Sequence, residues 1–152
     1  MKFYGRGGLS LKNKTVFTME VPSDLRKVKE VERVTEKIAN LMKLKEDDKD
    51  SLAIAVTEIV ANAITHGNKH DRKKKVTITF EYSDDTIVVT VADEGAGFDA
   101  NKIDNPLDPE NLLKESGRGI FIVKALMDEI KFIKGERGSI VRMVKRSKRT
   151  GS

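Results

Sequence analysis

One predicted helix carries the first group of residues able to do chemistry. Glu58, Asn62 and His66 follow one another at intervals of four residues, which places their side chains on one face of a helix. A carboxylate and a carboxamide one turn apart can position a water molecule or a hydroxyl group, and their oxygens suit Mg²⁺. A solvated helix face, with His66 as a local cap, is the more common explanation of such a pattern.

A glycine-rich segment, DEGAGF, begins with Asp93 at the end of a predicted strand. Gly95 and Gly97 let the backbone turn sharply and approach a flat or anionic ligand. The Asp93 carboxylate can accept a hydrogen bond from a donor such as an exocyclic amine. A plain glycine-rich turn explains the same residues equally well.

A second glycine-rich segment, SGRGI, opens another predicted helix at residues 116–120. A helix N-terminus presents free N–H groups and the positive end of the helix dipole, which favours phosphate. Arg118 adds a charged donor, although a helix cap with a solvated arginine is an equal alternative. Neither segment matches GxxxxGK[ST] or a Rossmann GxGxxG, so those two nucleotide folds are not supported.

The elements that position these groups follow from hydrophobic periodicity. In chain order the sequence predicts a strand at 14–21, a helix capped by Ser23 or Asp24, a second helix, a hairpin of 76–82 with 87–91, a third helix, and a hairpin of 129–134 with 139–145. Tight turns join consecutive strands, so we expect an α+β two-layer sandwich with a mostly antiparallel mixed sheet and helices on one face. Periodicity fails between Asp93 and Gly119, and a loop of that length is usually functional or mobile.

Three local expectations concern the helices. The acidic stretch Glu46 to Asp50 is expected to be a turn leading into the second helix, and Gly67 is expected to end that helix as a C-terminal cap. The apolar side of the third helix is expected to consist of Ile120, Ile122, Val123, Leu126 and Met127.

The length of 152 residues fits one domain. We expect residues 1–13 to be a loose lead-in, 14–145 the domain, and 146–152 a basic tail. The absence of cysteine excludes disulfides, zinc-thiolate sites and a cysteine nucleophile. No apolar run is long enough for a membrane span or a signal peptide, so a cytoplasmic location is expected.

The net charge of +5 fits either a nucleic acid or a smaller anionic ligand. Much of the positive charge lies in two clusters, at residues 69–75 and 142–149. Aromatic residues make up only 5% of the chain, and no platform for stacking bases is recognisable. We therefore do not expect direct binding of nucleic acid.

Taken together, three segments resemble the motifs of the GHKL ATPase superfamily. TEIVANAITHG (57–67) resembles its N box, while DEGAGFD (93–99) and SGRGIFIVKALMDEI (116–130) resemble its two glycine boxes. Their order and spacing agree with the superfamily, and the resemblance extends from Thr15 to Lys145. Within it, the chain is most similar to the bacterial anti-sigma factor serine/threonine kinases.

The resemblance implies a role for each phosphate-side residue. Glu58 matches the general base, and Asn62 matches the Mg²⁺ ligand that bridges the ATP phosphates. Gly117 and Gly119 match the backbone that binds phosphate. Arg118 stands where the best-known members carry a hydrophobic residue, so it either adds a phosphate contact or faces solvent.

The resemblance also implies an adenine pocket. Asp93 matches the residue that binds the adenine amino group, and Gly95 and Gly97 match the positions that make room for the base. Ser139 falls where relatives often place a hydroxyl near adenine. Residues 99–115 would form the ATP lid.

The function implied is that of an anti-sigma factor with ATP- and Mg²⁺-dependent protein serine kinase activity. It would bind a sigma factor and phosphorylate an anti-anti-sigma antagonist on serine, and such proteins are usually homodimers. The alternative is a nucleotide-gated GHKL binding module, or a weak ATPase, that regulates a partner without kinase activity. Slow ATP hydrolysis without transfer to a partner would favour this alternative.

Overall fold

The computed structural model describes residues 13–95 and 117–147. The strands are β1 (Thr15–Pro22), β2 (Lys75–Tyr82), β3 (Thr86–Ala92), β4 (Glu129–Lys134) and β5 (Ser139–Arg146), and the helices are α1 (Val28–Leu41), α2 (Glu46–Asn62) and α3 (Gly117–Leu126). A short 3₁₀ turn, Leu25–Lys27, precedes α1, and a π-turn, Ala63–Gly67, extends α2. The expected lid lies outside the described residues, as do most of the lead-in and tail.

The five strands form one sheet in the order β1-β2-β3-β5-β4. Every neighbouring pair is antiparallel, including the predicted hairpin around residues 83–85. The α+β fold is therefore confirmed. The expected parallel component of a mixed sheet is not found among the described strands.

The core lies between the sheet and the helices. Val76, Ile78 and Phe80 alternate along β2 and are completely buried, as expected for a strand with one covered face. Leu52 and Val56 of α2 are equally buried in the same cluster. Burying each such side chain contributes about 1.5–3 kcal/mol, so the sheet and α2 fix each other's positions.

Helix α2 lies between α1 and α3, contacts both, and begins earlier than the sequence suggests. Glu46, Asp47 and Asp48 form its first turn rather than a preceding loop. Their carboxylates lie at the positive end of the helix dipole, where negative charge is stabilising. The acidic stretch is therefore a helix start.

Helix α3 buries fewer residues than its apolar pattern indicates. Ile120, Val123 and Met127 are buried, because spacings of three and four residues keep them on one face. Ile122 lies off that face and is 47% exposed. Its assignment to the buried side was wrong, whereas Leu126 is half-buried.

The ends of the domain are defined by polar contacts. Asp24 caps the 3₁₀ turn by accepting a hydrogen bond from the Arg26 backbone N–H at 2.9 Å, one of the two caps expected. Strand β5 runs through Arg146, one residue into the expected tail.

Within the described ranges, no helix has the length and apolar character needed to cross a membrane.

Candidate nucleotide site

The carboxylate of Glu58 lies against the first turn of α3. A Cβ atom on Gly119 would be 2.5 Å from Glu58 Cδ and 2.8 Å from its Cγ, closer than side-chain atoms approach one another. At the other end of the helix pair, Lys145 Nζ bonds the Leu126 carbonyl at 2.7 Å and lies 3.8 Å from Asp48 Oδ1. The two helices are therefore antiparallel, which brings the N-terminus of α3 to Glu58.

Asn62 presents a polar group without a partner. Its side-chain nitrogen is buried, and among the described residues nothing hydrogen-bonds to it. A buried polar group in this state costs roughly 1–3 kcal/mol and calls for an explanation. The amide can present either nitrogen or oxygen at this position by rotating about its terminal bond. The position suits a polar ligand atom or a coordinated cation.

Asp93 is enclosed by glycines from three different segments. A Cβ atom on Gly67 would lie 2.6 Å from Asp93 Cγ, and one on Gly138 would lie 2.6 Å from Asp93 Oδ1. Gly95 passes the Gly67 backbone, where a Cβ would be 2.7 Å from the carbonyl carbon. Glycine at these positions allows the end of α2 and the turn before β5 to close around one carboxylate.

Gly67 is the last residue of the helical segment, as predicted, but for a different reason. The residues there that adopt left-handed backbone angles are Lys69 and His70, with φ of 51° and 60°. The φ of Gly67 is not in that region. Its lack of a side chain is required by the approach of Asp93, so the cap interpretation was wrong.

Hydrogen bonds fix one oxygen of Asp93. Oδ1 accepts from the backbone N–H groups of Gly95 and Ser139, both at 3.0 Å. The Asp93 N–H in turn donates to the Ser139 carbonyl at 3.0 Å. Among the described residues Oδ2 accepts no hydrogen bond, so it remains available to a donor from a ligand.

Ser139 lies beside Asp93, and the predicted hydroxyl contact with adenine stays a prediction. Its backbone makes the contacts, through both its N–H and its carbonyl group. Gly117 begins α3. Gly97 and the side chain of Arg118 lie outside the described residues, and their predicted roles stay predictions.

His66 does not continue the face defined by Glu58 and Asn62. The chain widens into the π-turn Ala63–Gly67, closed by the Asn68 N–H donating to the Ala63 carbonyl at 2.8 Å. In a π-turn a spacing of four residues no longer stacks side chains as it does in an α-helix. His66 is exposed, and the three-residue face shortens to two.

Two residues of the site escaped the sequence analysis. Gly138 appeared only as part of a turn, although it supports Asp93 directly. Asn68 is 1% exposed and accepts a hydrogen bond from the Glu94 N–H at 2.7 Å. No local pattern in the sequence singles out either residue.

The described residues of the candidate site offer few side chains as metal ligands. Among the residues that the structure describes, no three His, Cys, Asp or Glu side chains cluster as metal ligands would. Mg²⁺ commonly takes one or two protein ligands and completes its shell with phosphate oxygens and water. Asn62 fits that pattern.

Comparison with known proteins assigns the chain to a family. Residues 21–145 match the family model described as a histidine kinase-like ATPase domain. The serine-protein kinase RsbW of Oceanobacillus iheyensis is 30% identical in an alignment of 141 positions that covers 89% of each chain. RsbW of Bacillus subtilis is 32% identical over 139 residues, or 88% of this chain and 86% of that one.

The chain belongs to the RsbW family of serine-protein kinases. The predicted GHKL resemblance, the use of ATP and the protein serine kinase activity of an anti-sigma factor family are thereby confirmed. These RsbW relatives favour a kinase over a binding module that lacks kinase activity.

A solved structure supports the fold of this RsbW-family chain independently. The RsbU and RsbW domains of Rv1364c from Mycobacterium tuberculosis superimpose with a TM-score of 0.64 at 16% identity. The match covers 88% of this chain and 32% of that longer one. At such low identity the likeness concerns the fold alone.

Proposed function

We propose that the site binds Mg-ATP along α2 and that Glu58 activates a serine hydroxyl of a protein substrate. The observation that carries this proposal is the order of contacts on one helical segment. Glu58 lies at α3 and Gly67 lies at Asp93, and the nine residue steps from Glu58 to Gly67 span roughly 13 Å along a helix. One extended nucleotide can therefore reach both ends.

The adenine end uses Asp93 as an acceptor. Because Oδ1 is held by two backbone N–H groups, Oδ2 is left to accept the exocyclic amine of adenine. The surrounding glycines admit a flat ring close to the backbone. The proposed contact selects a base that carries an amine where guanine carries a carbonyl oxygen.

The phosphate end uses Asn62 and the start of α3. The buried Asn62 side-chain nitrogen can donate to a phosphate oxygen, and with the amide rotated its oxygen would ligate Mg²⁺. The N–H groups at Gly117 and Gly119 face the anion with the helix dipole behind them. Bound Mg²⁺ supplies neutralisation of the phosphate charge, on which phosphoryl transfer depends.

Glu58 acts on the attacking group. Its carboxylate accepts the proton of the serine hydroxyl while the serine oxygen bonds to the γ-phosphorus and ADP leaves. Its contact with Gly119 fixes it next to the phosphate-binding turn. No phospho-enzyme intermediate is required.

The partners we propose are a sigma factor and its anti-anti-sigma antagonist, with the antagonist carrying the phosphorylated serine. We also propose a homodimer in the cytoplasm. Strand β1 lies at the edge of the sheet, and its Phe17 is 44% exposed, so this surface is the candidate for the contact between copies.

The test is transfer of the γ-phosphate of ATP to serine in the purified antagonist. We expect phosphoserine with the wild-type protein and none with Glu58→Gln, although that variant still binds ATP. ATP hydrolysis without transfer to the antagonist would instead support a weak ATPase. Retained transfer in Glu58→Gln would contradict the proposed base.

A further inference from the structure

A closed ring of hydrogen bonds adjoins Asp93 on the side away from Ser139. The Asn68 amide oxygen accepts from the Glu94 N–H at 2.7 Å, and its nitrogen donates to the Lys75 carbonyl at 3.1 Å. The Lys75 N–H donates to Glu94 Oε2 at 2.5 Å, which closes the ring. The ring therefore fixes the relative positions of Asn68, Lys75 and Glu94.

A second layer anchors the ring to the beginning of the domain. The Asn68 nitrogen also donates to Ser23 Oγ at 2.8 Å, and Ser23 Oγ donates to the Lys74 carbonyl at 2.7 Å. Ser23 and Asn68 are each 1% exposed. Buried polar networks whose members are all bonded are rigid, and a missing member is costly because its partners stay buried.

The ring lies just beyond the last residue pair that joins β2 and β3. The pairing of β2 with β3 ends at Thr77 and Ala92, so Asp93 and Glu94 continue beyond it. On one side Ser139 bonds Asp93. On the other side Glu94 is held by two hydrogen bonds, because its backbone N–H donates to Asn68 and its carboxylate accepts from the Lys75 N–H.

We infer that Asn68 is a positioning residue that aims Asp93 at the base and thereby sets the preference for adenine over guanine nucleotides. This inference rests on the proposed adenine contact of Asp93 and adds a residue to which the motifs assign no role. Loss of the Asn68 amide removes the hydrogen bond that holds the Glu94 backbone N–H, so the direction of Asp93 Oδ2 is less firmly fixed. Binding of ATP depends on that direction, because the adenine amine donates to Oδ2. GTP places a carbonyl oxygen at the same position, and this oxygen cannot donate a hydrogen bond to Asp93.

The experiment measures the Kd of ATP and of GTP, each with Mg²⁺, for wild type, Asn68→Ala and Ser23→Ala. We expect Asn68→Ala to raise the Kd of ATP about tenfold, the usual scale for the loss of one hydrogen bond to a charged group. The Kd of GTP should change less than about twofold, and kcat at saturating ATP should be nearly unchanged. Ser23→Ala is the matched control, because it disturbs the outer layer while leaving the bond from Glu94 in place.

Unchanged ATP affinity in folded Asn68→Ala, or equal weakening of ATP and GTP, would overturn the inference. Asn68→Asp provides a second variant if the alanine variant does not fold. It retains an oxygen for the Glu94 N–H, so it should keep most of the preference for ATP, and loss of that preference would count against the inference.

Asp93→Asn separates this inference from the proposed site. Weaker ATP binding in Asp93→Asn together with normal binding in Asn68→Ala would remove the role of Asn68 alone. Normal ATP binding in Asp93→Asn would instead remove the proposed adenine contact itself.

Discussion

Asn62 ends α2 and Asn68 follows the π-turn six residues later, and the surroundings of the two side chains differ sharply. The side-chain nitrogen of Asn62 is buried without a partner among the described residues. Both polar atoms of the Asn68 side chain are bonded, to Ser23, Lys75 and Glu94. One end of the proposed site is therefore complete by itself, while the other contains a polar group that a ligand would satisfy.

The difference indicates that the two ends of the proposed site have different roles. At the adenine end, backbone and side-chain hydrogen bonds fix Asp93 before any nucleotide arrives, and pre-organisation of this kind favours affinity and selectivity. At the phosphate end, the Asn62 amide and the Glu58 carboxylate act only on a bound ligand. Substitutions at the two ends should consequently alter different properties.

The largest expected effect is on catalysis at the phosphate end. Glu58→Gln should lower kcat for serine phosphorylation about 10²- to 10⁴-fold, the usual contribution of a general base, with the Kd of ATP nearly unchanged. The exposed Glu46 provides a matched control, and Glu46→Gln should leave both quantities as they are. Loss of ATP affinity in Glu58→Gln would show that the division between the two ends is wrong.

A substitution at the adenine end should act in the opposite way. Gly67→Ala introduces a Cβ into the space of the Asp93 carboxylate, which must shift. We expect the Kd of ATP to rise roughly 10- to 100-fold, as misplacement of a binding group generally does, while kcat at saturation falls much less. Calorimetric titration and steady-state kinetics separate the two, and a dominant loss of kcat would contradict the assignment.

The two asparagines should also differ in their effect on stability. Asn68→Ala leaves buried partners unbonded and should lower the free energy of unfolding by about 2 kcal/mol. Asn62→Ala removes a polar group that lacks a partner, so the free energy of unfolding should stay within about 1 kcal/mol of wild type. Urea unfolding without nucleotide measures both, and equal destabilisation would remove the contrast.

The smallest expected effect lies outside the site, at the start of α1. The hydrogen bonds from Arg26 hold the pKa of Asp24 well below its usual range. Such a group stabilises the fold above its unfolded pKa, near 4, and loses this contribution as the pH falls toward its folded pKa. Asp24→Asn should lower Tm slightly at pH 7, and the difference from wild type should shrink at acidic pH, as scanning calorimetry can show.

Periodicity and turn residues predicted most of the fold. The alternation in β2 and β3 and the polar turn at 83–85 correspond to a hairpin in the structure. The acidic start of α2 was misassigned because carboxylates in a first turn resemble a polar loop when only composition is considered. Ile122 was misassigned because a nearly continuous apolar run does not reveal which face of a helix is buried.

The motifs indicate the residues of the candidate site but not how these residues pack. Glu58, Asn62 and Asp93 could be named because each belongs to a segment with its own pattern. Gly138 and Asn68 could not, since their importance arises only when the end of α2, β3 and the turn before β5 meet in space. Contacts between segments distant in sequence leave no local signal in a single chain.

The most direct test of the proposed site is titration with ATP in the presence and absence of Mg²⁺, using wild type and Asn62→Ala. If Asn62 is the buried polar group that the metal and phosphates complete, Mg²⁺ should strengthen ATP binding to the wild type by at least about tenfold. In Asn62→Ala the same comparison should show little or no strengthening. Equal strengthening by Mg²⁺ in both proteins would contradict the account.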